Sequence, residues 1–295
     1  MGAVKDSWRQ VRRVQPGKIA KAARQPFTLL LVAANQREHE ALARYLAPET
    51  MPPAEREEAL RRLELVLAGD SGLAAARRRA NAAIATPAAR AQGCDWAVVL
   101  DVASPRRGAE ELLRRHGHLL LALGRHFPPL RPVAARGLIQ STAMRNAAVA
   151  ALTAIPEVVP TPLGVAWAVG EFASDSVLLT ANQVRLAMEL AALYGRPVSW
   201  GAQSPAILAI IGGAFGWRAM ARGAVALIPA GVGLAAKSSI AYGGTLTVGR
   251  WLWRRQRRPR GAVSAPGQRV VLEHQPQGGW RPRELRQLAA TRHAS

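Results

Sequence analysis

The chain has one cysteine, Cys94, in 295 residues. That excludes an intrachain disulfide and any cysteine-built metal site, and it fits a reducing compartment. Aromatics are scarce at 5%, so the core has to be built from Ala, Val, Leu and Ile. Lysine occurs at Lys5, Lys18, Lys21 and Lys237 alone, and acids number 19 against 40 basic residues, a net charge of +21. The excess is therefore arginine. Such a balance favours polyanions, either nucleic acid or the anionic face of a membrane; the competing reading is genome base composition, with the arginines merely solvated. The N-terminal stretch "MGAVKDSWRQVRRVQPGKIAKAARQ" has no continuous apolar run, so it does not read as a secretory signal. "MGAVKD" also lacks the hydroxyl residue of a myristoylation site.

A phosphate loop is missing as well. "FTLLLVAANQREHEALARYL", Phe27 to Leu46, reads as a buried strand, a tight turn and an amphipathic helix, which is how a nucleotide-binding domain opens. A P-loop needs glycines whose backbone N–H groups close on phosphate, a lysine, and a Ser or Thr for magnesium. The turn "AANQREHEA" has none of these. No N-K-x-D motif occurs, and nor does G-x-S-x-G or H-E-x-x-H. Asp101, at the end of "DWAVVLD", reads as a loop cap, and His116 and His118 as surface residues. No catalytic, cofactor-binding or metal-binding residue is assigned, and the expectation is a non-enzymatic protein.

What is present divides the chain at 25, 130 and 258. Residues 1–25 form a basic arm, either a short amphipathic helix or a loosely ordered terminus. Residues 26–130 alternate helix and strand, which favours a small, mostly parallel sheet. Two strands stand out, "FTLLLVA" and "DWAVVLDVA". "AEREEALRRLELVLAG" reads as one helix with Leu60, Leu63 and Leu67 on a face, and "GLAAARRRANAAIA" as another. "GAEELLRRHGHLLLALGRHF" reads as a further helix. Residues 131–258 turn helical and Gly/Ala-rich, with a Thr161-Pro162 start, a stop at Gly195 and Pro197, and a second start at Ser204-Pro205. The tail, 259–295, is rich in Pro, Gly, Gln and Arg and reads as largely disordered, with "RVVLEH" as a strand candidate and "RPRELRQLAA" as a helix candidate.

The helical half carries two patterns. Glu171, Asp175, Asn182, Arg185 and Glu189 fall on one stripe of an otherwise apolar helix. Glu171 and Asp175 then pair with Arg218 and Arg222 as a buried polar cluster, or the stripe faces water. Separately, Gly231, Ala235, Ser239, Gly243 and Thr247 recur every four residues, a small-residue face that lets helix backbones approach closely and self-associate. The stretches before Arg218 and Lys237 are short for a clean span. Yet Trp251 and Trp253, followed by Arg254, Arg255, Arg257 and Arg258, read as an aromatic belt with a basic, lipid-facing flank.

The order "T-x-N-Q", "YG", "LIP-x-G", "G-x-T-x-x-x-G-R" resembles the YcjF-type bacterial domain of unknown function over about 125–250. The matching residues are Asn182, Gln183, Tyr194, Gly195, Pro229, Gly243, Thr245 and Gly249. That domain is often fused behind Era-like GTPase domains, and its members are commonly described as membrane-associated. The resemblance carries no catalytic residue. It implies a GTPase partner, and it makes residues 26–103 look like a GTPase-type domain that has lost its nucleotide motifs. The reading is α/β followed by all-α: a small, degenerate P-loop-like domain and a helical bundle at the cytoplasmic membrane, basic termini facing the cytoplasm. Its expected function is that of a scaffold or adaptor on an anionic membrane surface. The alternatives are a cytosolic nucleic-acid-binding protein using Arg77, Arg78, Arg79 and the arginines of 254–260, and a partner of a GTPase-based switch.

Overall fold

A computed structural model describes the backbone of residues 14–153, 164–225, 233–257, 272–275 and 279–282, and the side chains of 14–152, 178–213 and 238–257. A four-stranded parallel sheet forms the first layer of the structure. Its strands are β1 (Leu29–Ala33), β2 (Leu63–Leu67), β3 (Ala82–Ala85) and β4 (Val98–Val99), in the order β2-β1-β3-β4. Helices fill the connections: α1 (Pro16–Arg24) precedes β1, and α2 (Gln36–Leu46), α3 (Pro53–Leu60), α4 (Leu73–Arg79), α5 (Pro87–Ala91), α6 (Pro105–Arg115) and α7 (Leu120–His126) follow.

The run "LLLVA" is β1 because a central parallel strand is covered on both faces, so it needs apolar residues throughout; all five are buried. Leu29 and Leu31 join the core under α2 and α6, with Leu42, Leu46 and Leu112. Leu30 and Val32 face the other way, against Ala76 of α4, Ala89 of α5, Cys94 and Ala97. His39, buried on α2, has Nε2 3.1 Å from the Leu31 carbonyl. A carbonyl can only accept, so that nitrogen carries the proton.

Two expected helices contain strands. Leu63–Leu67 pairs with β1, Leu29 against Leu63 through Ala33 against Leu67, and Ala82–Ala85 pairs with β1 on its other side. In "LRRLELVL" the leucine spacing fits a helical face, but the sheet edge offers β2 a row of backbone partners. "AAIA" becomes a strand for the same reason, against the propensity of its alanines. "GAEELLRRHGHLLLALGRHF" is likewise interrupted: α6 ends at Arg115, a 3-10 turn spans Gly117–Leu119, and α7 begins at Leu120.

Four long helices follow: α8 (Arg131–Thr153), α9 (Gly164–Leu193), α10 (Trp200–Val225) and α11 (Gly233–Arg257). α8, α9 and α11 pack on one another, α10 lies on α9, and α9 reaches back to α1 and α7. One continuous apolar core therefore runs from Ile19 of α1 to Leu252 of α11. α1 is a docked amphipathic helix, with Ile19 and Ala23 buried. α10 starts earlier than Ser204-Pro205 suggests. Ser199 caps it, accepting from the Ala202 N–H at 3.2 Å. Pro205 sits inside the helix, and the Ser204 hydroxyl donates to the Gly201 carbonyl at 2.8 Å, replacing the bond proline cannot make. Residues 258–295 form a separate compact unit containing an antiparallel pair, β5 (Leu272–Gln275) and β6 (Gly279–Pro282). Of the helix candidate "RPRELRQLAA", Arg281 and Pro282 belong to β6 and the rest lies outside the described residues.

The expectation of transmembrane helices is overturned. No helix among the described residues is long and apolar enough to cross a membrane. The physical reason is visible on α9, where Asn182, Gln183, Arg185 and Glu189 interrupt a 30-residue helix. The transmembrane helices are corrected by this, and the contact with an anionic membrane surface, the placement at the cytoplasmic membrane and the membrane-bound scaffold lose the span they were built on. The supposed small-residue face also turns away from the bundle: Ser239, Gly243 and Thr247 are exposed, while Gly244, Thr245, Gly249 and Leu252 are buried. A shift of one residue rotates a helix by about 100°, enough to exchange the packed face for its neighbour.

Candidate functional site

Helices lie on opposite faces of the sheet as the chain leaves β1 and β3, so the crevice between their carboxyl ends is the switch point where open α/β sheets place ligands. Here a side chain of the protein fills it. Asn35 caps α2, its Oδ1 accepting from the Glu38 N–H at 3.0 Å. Glu38 turns back, and its Oε2 accepts from the Ala34 N–H at 3.2 Å and from the Thr86 hydroxyl at 2.5 Å. Thr86 caps α5 in turn, accepting from the Ala89 N–H at 3.2 Å. A carboxylate thus sits where a phosphate would meet the first turn of α2, in a variant of the capping box. Asp101, beyond β4, accepts from the Ala103 N–H at 2.9 Å and the Ser104 hydroxyl at 3.0 Å, which ties down its own loop. Among the described residues no group of three or more His, Cys, Asp or Glu side chains could hold a metal ion.

A second feature lies on the α4 face of the sheet. Asp70, Ser71, Leu73, Ala74, Arg77, Arg78 and Trp96 line an open groove of about 490 Å³. The Arg77 guanidinium lies 4.4 Å from the centre of the Trp96 ring, a cation–π contact worth about 0.5–1 kcal/mol at an exposed site. Arg79 pairs with Glu64 of β2. Asp70 Oδ2 accepts from the Leu67 N–H at 3.1 Å. The sequence shows the arginine run but not its aromatic partner, because Trp96 is far along the chain and reaches Arg77 through the β3–β4 connection.

Three of the family-pattern residues, Asn182, Gln183 and Thr245, meet inside the helical bundle. Asn182 Nδ2 donates to Asn146 Oδ1 at 2.7 Å, and Asn146 Nδ2 donates to Thr245 Oγ1 at 2.8 Å. Gln183 Nε2 reaches the same hydroxyl at 3.5 Å, and Thr245 donates to the Ala241 carbonyl at 2.8 Å. The fully buried Asn146 thus ties α8, α9 and α11 together. It was missed in the sequence because it stands alone among the alanines of α8. Tyr194 accepts a 2.6 Å hydrogen bond from Trp253 Nε1. Gly195 has φ of 67°, and the Gly195 and Arg196 N–H groups bond to the Ala192 and Ala191 carbonyls at 3.0 and 2.8 Å. That is a Schellman end for α9, where a left-handed residue is needed. At Gly249 an added Cβ would stand 2.7 Å from Ile139 Cγ2, so glycine sets the α8–α11 approach. Gly243 meets nothing within 4 Å, and Pro229 lies outside the described residues.

The side chains of Glu171, Asp175, Arg218 and Arg222 lie outside the described residues. Within the stripe, Arg185 pairs with Glu189 at 2.7 Å. In the aromatic–basic flank Trp253 turns inward to Tyr194, with Arg257 5.6 Å from its ring centre, while Trp251 stays 42% exposed. Arg254 and Arg255 are exposed, and Arg258 lies outside the described residues.

Truncating Asn146 to Ala leaves the Asn182 amide without its partner and removes one bond to the Thr245 hydroxyl, which keeps the Ala241 carbonyl. Each unsatisfied group costs about 1–3 kcal/mol, so Asn146→Ala is expected to lower unfolding stability by about 2–3 kcal/mol. Urea denaturation measures this; a midpoint unchanged from the parent would show that the node holds nothing together. Comparison of the chain with family models, with curated proteins and with solved structures finds no match.

Proposed function

We propose that this is a non-enzymatic nucleic-acid-binding protein. The observation that carries the reading is the state of its charges. Five acids of the α/β layer are taken up by neighbouring arginines: Glu57 by Arg61, Glu58 by Arg62, Glu64 by Arg79, Glu110 by Arg106 and Glu111 by Arg114 and Arg115. That leaves Arg37, Arg44, Arg78, Arg90, Arg107, Arg250, Arg254 and Arg255 exposed with no acid in ion-pair range among the described residues. An excess of positive charge, carried by side chains with planar multiple donors, suits phosphate. The carboxylate of Glu38 at the switch point supports the non-enzymatic half of the reading, since it meets the donors a nucleotide phosphate would need.

The YcjF-type likeness stands beside this as a proposal for the helical half. What supports it is the convergence of Asn182, Gln183 and Thr245 on one node, which gives the pattern a fold-holding role rather than a chemical one.

The test is fluorescence anisotropy of labelled single-stranded DNA against salt. Each neutralised phosphate contributes about −0.7 to the slope of log K on log salt. A protein using four or more arginines should give a slope of about −3 or steeper. No measurable binding at about 50 mM salt, where such contacts are strong, would remove the proposal.

A further inference from the structure

The groove beside α4 combines features that the arginine surplus alone does not require. It has an aromatic wall, a guanidinium already held against that wall, a second arginine, and a carboxylate at its far end. Asp70 precedes α4 and Arg78 sits in its last turn, and a seven-residue helix is about 10 Å long. That length spans one nucleotide from the edge of its base to its phosphate. Leu73 and Ala74 form an apolar floor between the two ends.

We infer that this groove holds one nucleotide of a single-stranded nucleic acid, the base against Trp96 and Arg77 and the phosphate against Arg78. The inference rests on the reading of the chain as a nucleic-acid-binding protein and gives that reading a site. Stacking needs an unpaired base, since a base inside a duplex has its faces covered, so single strands are the substrate class. Arg77 extends the platform because a guanidinium stacks as a plane. Arg78 is exposed and, among the described residues, has no acid in ion-pair range. Asp70 sets a preference. Its Oδ2 takes the Leu67 N–H, which leaves Oδ1 to accept from an exocyclic amino group. Cytosine carries such a donor and thymine does not. An acidic peptide would use the arginines but would gain little from Trp96, and it would be repelled by Asp70.

The experiment titrates the full chain with labelled dC12 and dT12 at two salt concentrations, using the parent, Trp96→Ala, Trp96→Phe, the Arg77→Ala/Arg78→Ala pair and Asp70→Asn. Circular dichroism checks folding. Loss of one stacked base should weaken binding about tenfold in Trp96→Ala, with Trp96→Phe close to the parent. The arginine pair should flatten the salt slope by about one. Asp70→Asn should erase the preference of dC12 over dT12. If the parent binds but neither the Trp96 variants nor the arginine pair changes affinity or slope, the groove is the wrong site while the function stands. If the parent binds neither oligonucleotide, the function and the groove fall together. Should Trp96→Ala unfold, the arginine pair and Asp70→Asn still decide. Equal competition by poly-glutamate would mean charge alone, and would overturn the stacked nucleotide.

Discussion

Gly108→Ala is expected to destabilise the protein by about 3 kcal/mol, at the upper end of the usual cost of overpacking. Gly108 is buried on α6, where that helix crosses β4. A Cβ built on it would lie 2.4 Å from the Val99 carbonyl oxygen and 2.9 Å from the Leu100 Cα. Both are backbone atoms of the sheet layer, so no side chain can swing away to make room. Alanine gains about 1 kcal/mol over glycine in a helix interior, and the clash outweighs that gain. Gly137 on α8 is the internal control. It is exposed and an added Cβ meets nothing within 4 Å, so Gly137→Ala should stabilise by about 0.5–1 kcal/mol. Urea midpoints of the two variants should move in opposite directions. If both move upward, α6 does not approach β4 this closely.

Acid should unfold the protein through His126. Its ring is buried against Phe27 at 5.9 Å, and its Nδ1 lies 3.6 Å from Glu58 Oε1. Arg62, Arg125 and Arg131 are close by, and His126 Nε2 and Arg62 Nε have no hydrogen-bond partner among the described residues. Burial first, and then the Arg62 charge, push the His126 pKa from 6.5 down to about 4, against the weaker opposing pull of Glu58. The folded state therefore resists a proton that the unfolded chain accepts. The stabilising contribution is complete above pH 6.5 and is lost as pH falls toward 4. At about 1.4 kcal/mol per pH unit, roughly 2 kcal/mol goes between pH 6.5 and 5, before most carboxylates titrate. His126→Leu should flatten this limb. An equally steep loss of stability in the variant over pH 7 to 5 would place the acid sensitivity elsewhere.

These residues show how much the chain declares before it folds. "LLLVA" reads as a buried strand because five apolar residues in a row suit a strand covered on both faces. α8 and α9 are legible from their length and their stops; Gly195 marks a helix end by the one backbone conformation that favours glycine. The arginine excess is legible by counting. By contrast, "LELVL" and "AAIA" are strands because β1 lies between them with open backbone donors and acceptors, and no local pattern records that. The Trp96–Arg77 contact depends on the same sheet order.

The membrane reading went astray at the same boundary. Small residues every four positions and Trp–Arg sequences occur in membrane helices and in water-facing bundles alike. Only packing shows that Ser239 and Gly243 face outward while Thr245 and Gly249 face in, and that Trp253 is spent on Tyr194. The sequence by itself determined the helix–strand alternation of the first half, the helical character of the second, the charge and the absence of a phosphate loop, because these are sums over residues or short-range patterns. The tertiary structure decided the strand count, the face each helix presents, the Asn146 node, and the filling of the switch point by Glu38. Each of these is a contact between distant segments, and its free energy exists only once both partners are in place.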